Sequence, residues 1–127
     1  MALEIEYRDF RTPDELYVVE RGRIEVVRIR GGLLRRFLLK PGWHSDGEPG
    51  DLDFGGPHLL YHAAGRIRFS APRGQVLEAG PGQVVGLPPG WRGCVLGDDP
   101  VIVIDFFDIA ASLWRSTSEA GRSPAST

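Results

Sequence analysis

Between Arg21 and Pro100 the chain is broken by a turn signal every few residues, and that spacing leaves room for short strands and little else. The signals are Arg21-Gly22, Gly31-Gly32, Pro41-Gly42, Gly55-Gly56-Pro57, Arg73-Gly74, Gly80-Pro81-Gly82, Pro88-Pro89-Gly90 and Gly97-Asp98-Asp99-Pro100. Proline presets φ and glycine enters positive φ without steric cost, so such pairs reverse the backbone. The runs between them are rich in Val, Ile, Leu, Phe and Tyr, side chains that fit a pleated surface. The pattern predicts strands from Leu16 to Glu20, Arg23 to Arg30, Leu33 to Leu39, His58 to His62, Arg66 to Ala71, Gln75 to Glu78, Gln83 to Leu87, Trp91 to Leu96 and Val101 to Phe107. An all-β sandwich or barrel follows, with no segment repeated at a fixed period.

Val101-Ile102-Val103-Ile104 is apolar at both parities, which predicts a strand covered on both faces. Residues Ile109 to Trp114 suit one short C-terminal helix. Arg115 to Thr127 has scarcely an apolar anchor and is expected to be a disordered tail. With 127 residues, the expectation is one β-barrel domain over 1–114 and a tail over 115–127. The net charge of -2 lacks the basic excess that draws phosphate backbones, so nucleic acid is not an expected partner. No apolar run is long enough to span a bilayer, and Met1 to Phe10 has no continuous apolar core of a signal peptide. Cys94 is the one cysteine, which excludes an intrachain disulfide or a cysteine-rich zinc site and suits a reducing, cytoplasmic setting.

The stretch from Gly80 to Gly90 resembles the second motif of the cupin superfamily: a glycine, five residues, then Pro-x-Gly, here Gly82, Gln83 to Leu87 and Pro88-Pro89-Gly90. His58-Leu59-Leu60-Tyr61-His62-Ala63-Ala64-Gly65-Arg66 resembles the end of the first motif, and Lys40-Pro41-Gly42-Trp43 the turn before it. Together with Pro13-Asp14-Glu15 and Gly97-Asp98-Asp99-Pro100, these segments are similar to those of small single-domain bacterial cupins. The resemblance runs from Phe10 to Phe107. It implies a cupin-type antiparallel β-barrel, a jelly-roll-like double sheet whose chemistry lies at the barrel mouth. That fold hosts many activities, so function must be read from the site.

Metal-binding cupins carry a His-x-His pair, a Glu seven residues before the first motif's glycine, and a further His just after the second motif. Seven before Gly65 stands His58, and Gly93 stands at the last position. Asp51 and Asp53 take the place of the His pair. Two carboxylates and a histidine make an open three-ligand set, as do His44, Asp46 and His58. Against both stands the ordinary reading of Asp46, Asp51 and Asp53 as solvated loop acids. No resident metal or other cofactor is expected.

His58 and His62 are the candidate catalytic residues, because imidazole exchanges protons near neutral pH. They share a strand face about 13 Å apart and cannot hold one ion together. For each, the alternative is a hydrogen-bonded structural histidine. Trp43 and Trp91 follow turns and are expected near the rim, where with His44 and Phe54 they would line a ligand pocket or act as lid packing. Asp105 falls on an apolar face and needs either an arginine partner, such as Arg28, Arg35 or Arg66, or a place in the pocket as a perturbed acid. The expected function is a metal-independent lyase, cyclase or isomerase acting on a small molecule. The alternatives are a ligand-sensing module and a metal-dependent dioxygenase. The doubly apolar last strand predicts a homodimer, unless Leu3-Glu4-Ile5-Glu6-Tyr7 folds back as an edge strand.

Overall fold

The computed structural model of the chain describes residues 4–45 and 58–106. These form ten strands: β1 (Glu15–Val19), β2 (Gly22–Ile29), β3 (Gly32–Leu39), β4 (His44–Ser45), β5 (His58–Ala64), β6 (Arg66–Ser70), β7 (Val76–Ala79), β8 (Val84–Leu87), β9 (Arg92–Leu96) and β10 (Val101–Asp105). Every pairing is antiparallel. One sheet has the order β1-β2-β3-β10-β5-β8 and the other β4-β9-β6-β7. The predicted strands are all present, with ends shifted by a residue or two. Among the described residues no ladder joins the two sheets, so the architecture is a double sheet and not a hydrogen-bonded closed barrel.

Local chemistry explains the β2–β3 hairpin. Arg30 and Gly31 both adopt positive φ, 51° and 76°, the backbone of a two-residue turn whose twist matches that of the strands it joins. The register Ile29↔Gly32 through Gly22↔Leu39 follows from it. β10 then enters beside β3 with Val101↔Leu39, Val103↔Phe37 and Asp105↔Arg35, and β5 closes its other side. The last of the described strands thus lies inside the larger sheet, a placement that no local pattern specifies.

The core lies between the sheets. Ile24, Phe37, Leu39, Val101 and Val103 face inward from the larger sheet, and Ile67 and Phe69 from the smaller one. Burying such side chains stabilises by about 1.5–3 kcal/mol each. On the outer face of the larger sheet Ile102 and Ile104 are half-buried. Beside them Glu25 is 2% exposed and held by Arg23 and Arg36. Phe10 lies over the Arg36 guanidinium at 5.1 Å.

Two features differ from expectation. The alternating N-terminal segment adds no strand to its own sheet: residues 4–9 run without ladder pairing, and Ile5 and Tyr7 are 97% and 83% exposed. Arginine side chains hold it instead, Arg30 through the Glu4 carbonyl and the Glu6 carboxylate, and Arg8 through the Arg28 carbonyl. The second feature is β4, whose two residues are too few to show a period. The C-terminal helix expected from Ile109 to Trp114, and the tail, lie outside the described residues. Among the described residues no helix is long and apolar enough to cross a membrane.

Gly65 turns the chain from β5 into β6. At φ 76°, a Cβ there would meet the Pro100 carbonyl oxygen at 2.4 Å and Val101 Cα at 2.8 Å, whereas one at Gly74, φ 90°, would meet nothing within 4 Å. Gly65→Ala combines backbone strain with a backbone clash and is expected to cost roughly 3 kcal/mol, against about 1 kcal/mol for Gly74→Ala. Urea unfolding of the two variants checks this; equal losses would show that the close approach is not made.

Candidate functional site

The inner face of the larger sheet is apolar along most of its length and polar at one end. That is the end where β10 finishes, β5 begins and β1 begins. Asp105, the last residue of β10, is 0% exposed. Register sets Arg35 of β3 directly opposite it, and Arg35 donates to Asp105 Oδ2 from Nε at 3.0 Å and from Nη2 at 2.6 Å. On the other side His58 Nδ1 lies 3.0 Å from the same oxygen. An ionised carboxylate can only accept, so Nδ1 is the donor in this contact. The ring is wedged edge-on against Trp91 at 5.4 Å and Phe37 at 6.2 Å, and the Arg35 guanidinium lies 5.4 Å from the Phe37 ring centre. Asp105 Oδ1, also buried, has no hydrogen-bond partner among the described residues.

Of the three arginines that sequence reasoning offered to Asp105, only Arg35 reaches it. Arg28 pairs with Glu15, whose carboxyl also accepts from the Tyr17 hydroxyl at 2.6 Å. Those two bonds, Tyr17's first, hold the Glu15 carboxyl below the usual range. Arg66 lies by Glu78, 3.8 Å away. Glu15 shares the face and row of Val26, and Val26 is opposite Arg35. Glu15, Tyr17 and Arg28 therefore stand at the polar end, a cluster the sequence did not single out. Its only signal was the shared parity of Glu15 and Tyr17, and the β1–β2 register was needed to place it.

His62 is also inward and 0% exposed, but apart from the triad. Its Nδ1 faces the Gln83 carbonyl at 3.3 Å and its ring packs on Phe69 at 5.8 Å. Nε2 is without a partner among the described residues, and burial pushes the imidazole pKa down from 6.5. Trp43 and Trp91 are buried, not at the rim: they are 4% and 2% exposed and belong to the core. His44 points the other way. It is exposed beside Cys94 on the outer face of the smaller sheet, so the structure does not bring it to His58. Phe54, Asp46, Asp51 and Asp53 lie outside the described residues.

The indoles bear directly on the metal question. A Cβ at Gly93 would meet Trp91 Cζ3 at 3.0 Å, Phe69 Cδ1 at 3.4 Å and Trp43 Cζ3 at 3.5 Å. Aromatic rings thus fill the space into which a last ligand would project. His58 is committed to Asp105, and no group of three or more His, Cys, Asp or Glu able to hold an ion occurs among the described residues. The described residues do not fit the metal that the resemblance brings to mind.

The double sheet is the cupin fold, and known structures agree. Ectoine synthase from P. lautus superposes with a TM-score of 0.60 at 10% identity, over 80% of this chain and 78% of that one. Oxalate decarboxylase from Lactobacillus farciminis gives 0.55 at 15% identity, over 72% of this chain and 30% of that one. The capsular polysaccharide assembling protein CapF from Staphylococcus aureus gives 0.52 at 19%, over 72% and 29%. The chain spans under a third of the length of these last two. No protein-family model and no curated protein matches the sequence.

Two outcomes follow from this geometry. Arg35→Ala leaves the Asp105 charge buried with its main partner gone and is expected to cost about 3–5 kcal/mol, whereas joint replacement by Arg35→Met and Asp105→Leu should recover most of the loss. Denaturant titration of single and double variants measures both, and a single-variant loss under about 1 kcal/mol would mean that the pair is solvated. For His62 the folded state disfavours the proton, so the unfolded chain takes one up first as pH falls below about 6.5, and stability declines from there downward. Urea midpoints at pH 7.5 and 5.5 should fall less in His62→Phe than in the parent chain; an equal fall would assign the effect to other groups.

Proposed function

We propose that this is a small-molecule-binding cupin in which His58 exchanges a proton with a ligand at the polar end of the double sheet. The observation that carries the reading is the relay Arg35–Asp105–His58. Arg35 donates twice to Asp105, Asp105 orients the imidazole through Nδ1, and Nε2 would act as base and then as acid. A base held in one tautomer by a buried carboxylate is a recurrent device for moving protons. Lyase, cyclase and isomerase reactions need that step and no electron transfer. Two of the similar structures carry enzyme names, a synthase and a decarboxylase.

Asp105 acts as a positioning residue, and Trp91 and Phe37 limit the tilt of the ring. Since His58 is 1% exposed, a ligand reaches Nε2 only when side chains at that end shift. A binding module without catalysis is the second reading. It is favoured by that same burial, because a fully packed relay also serves to lock β3, β10 and β5 together.

Deuterium uptake separates the two. The protein is incubated in D2O with a mixture of small hydroxy, keto and amino acids, and loss of carbon-bound protons is followed by NMR. The expected result is exchange next to a carbonyl in one component, slowed by roughly 10²–10⁴-fold in His58→Gln, the usual contribution of a proton-transferring side chain. Exchange that persists unchanged in His58→Gln would remove the histidine from the reaction. Binding without exchange would support the second reading.

A further inference from the structure

The outer face of the smaller sheet carries a feature independent of the relay. A shallow groove of about 230 Å³ is lined by His44, Arg68, Ser70, Arg92 and Cys94. Register assembles it from three strands. Cys94 of β9 is opposite His44 of β4 on one side and Arg68 of β6 on the other, and Arg92 is opposite Ser70. Direct cross-strand partners share a face with their Cβ atoms about 4.5–5.5 Å apart. Gly93, between Arg92 and Cys94, faces the core indoles, which sets its two neighbours outward.

Among the described residues the charges are one-sided. Both formally charged lining side chains are guanidinium groups, and no carboxylate among the described residues lines the groove. Glu78 takes one Arg68 nitrogen at 3.0 Å and leaves the rest of that fork. Arg92 makes no ion pair among the described residues. On a chain whose net charge is -2, this is a local concentration of positive charge with hydroxyl and thiol donors between. Guanidinium forks donate only, in a plane that matches two oxygens of one anion.

We propose that this groove binds a small oxyanion, a phosphate or carboxylate group seated between Arg92 and Arg68 above the Cys94 thiol. Its volume is below the roughly 300 Å³ at which pockets begin to take drug-sized ligands, so inorganic phosphate or a short dicarboxylate fits within it. The site faces away from His58 on the opposite sheet, and its occupancy does not depend on the reaction proposed there.

Cys94 supplies the readout, because it is the one cysteine in the chain. Its reaction with the neutral disulfide 4,4′-dithiodipyridine forms a mixed disulfide and releases one pyridinethione, followed by absorbance. Labelling is measured against inorganic phosphate and, separately, malonate, at constant ionic strength made up with chloride. A bound anion should slow it saturably, by roughly tenfold at about ten times Kd, since reaction then proceeds from the unoccupied fraction. Arg92→Ala should abolish the protection. Protection by phosphate alone, by malonate alone or by both supports the site and identifies its anion class. Equal rates in both anions and in chloride, or protection unchanged in Arg92→Ala, overturns it. As a check needing no variant, phosphate titrated into the parent protein should shift the amide resonances of Ser70, Arg92 and Cys94, and their invariance overturns the site as well.

Discussion

One buried carboxylate organises this molecule. Asp105 ends a strand whose other inward residues, Val101 and Val103, are fully apolar, and an ion there without partners would not be tolerated. Arg35 from β3 and His58 from β5 supply the partners across both neighbouring ladders. The carboxylate therefore does more than pair. It ties β10 to the strands on each side and orients the histidine. The same compensation recurs on the outer face, where buried Glu25 is held between Arg23 and Arg36.

The second constraint is the aromatic filling between the sheets. Trp43, Trp91 and Phe69 converge on Gly93, where a Cβ would stand 3.0 Å from Trp91 Cζ3 and at ordinary contact distance from the other two rings. With Gly93 facing these rings, Arg92 and Cys94 point outward. His58 faces the interior from the larger sheet, and Arg68 and Arg92 line a groove on the outer face of the smaller one. Within each strand, neighbours in sequence point to opposite sides.

The strands were legible because their signals are local. Gly-Pro turns, positive-φ glycines and short β-branched runs act within a few residues, and each predicted strand is present. β4 was missed for the same reason, having only two residues. The N-terminal arm shows the limit of pattern: its alternation suits a strand, yet Arg30 and Arg8 bind its backbone and side chains outside any ladder. Parity put His58 and His62 on one face, and the structure turns that face inward. Parity could not say that His62 faces a backbone carbonyl while His58 faces a carboxylate.

The sequence by itself determined the class of fold, the shared face of His58 and His62 and the need of Asp105 for something to satisfy its carboxyl, since propensity, two-residue periodicity and the cost of burying charge are properties of short segments. Tertiary structure decided that Arg35 and not Arg28 or Arg66 meets Asp105. It decided that Trp43 and Trp91 lie in the core, and that His44 belongs with Cys94 instead of His58. Each of these depends on which strands are neighbours and in what register. Those pairings join residues as far apart as Arg35 and Asp105, 70 positions along the chain, and a one-residue slip in either ladder would turn the same side chains to the opposite face.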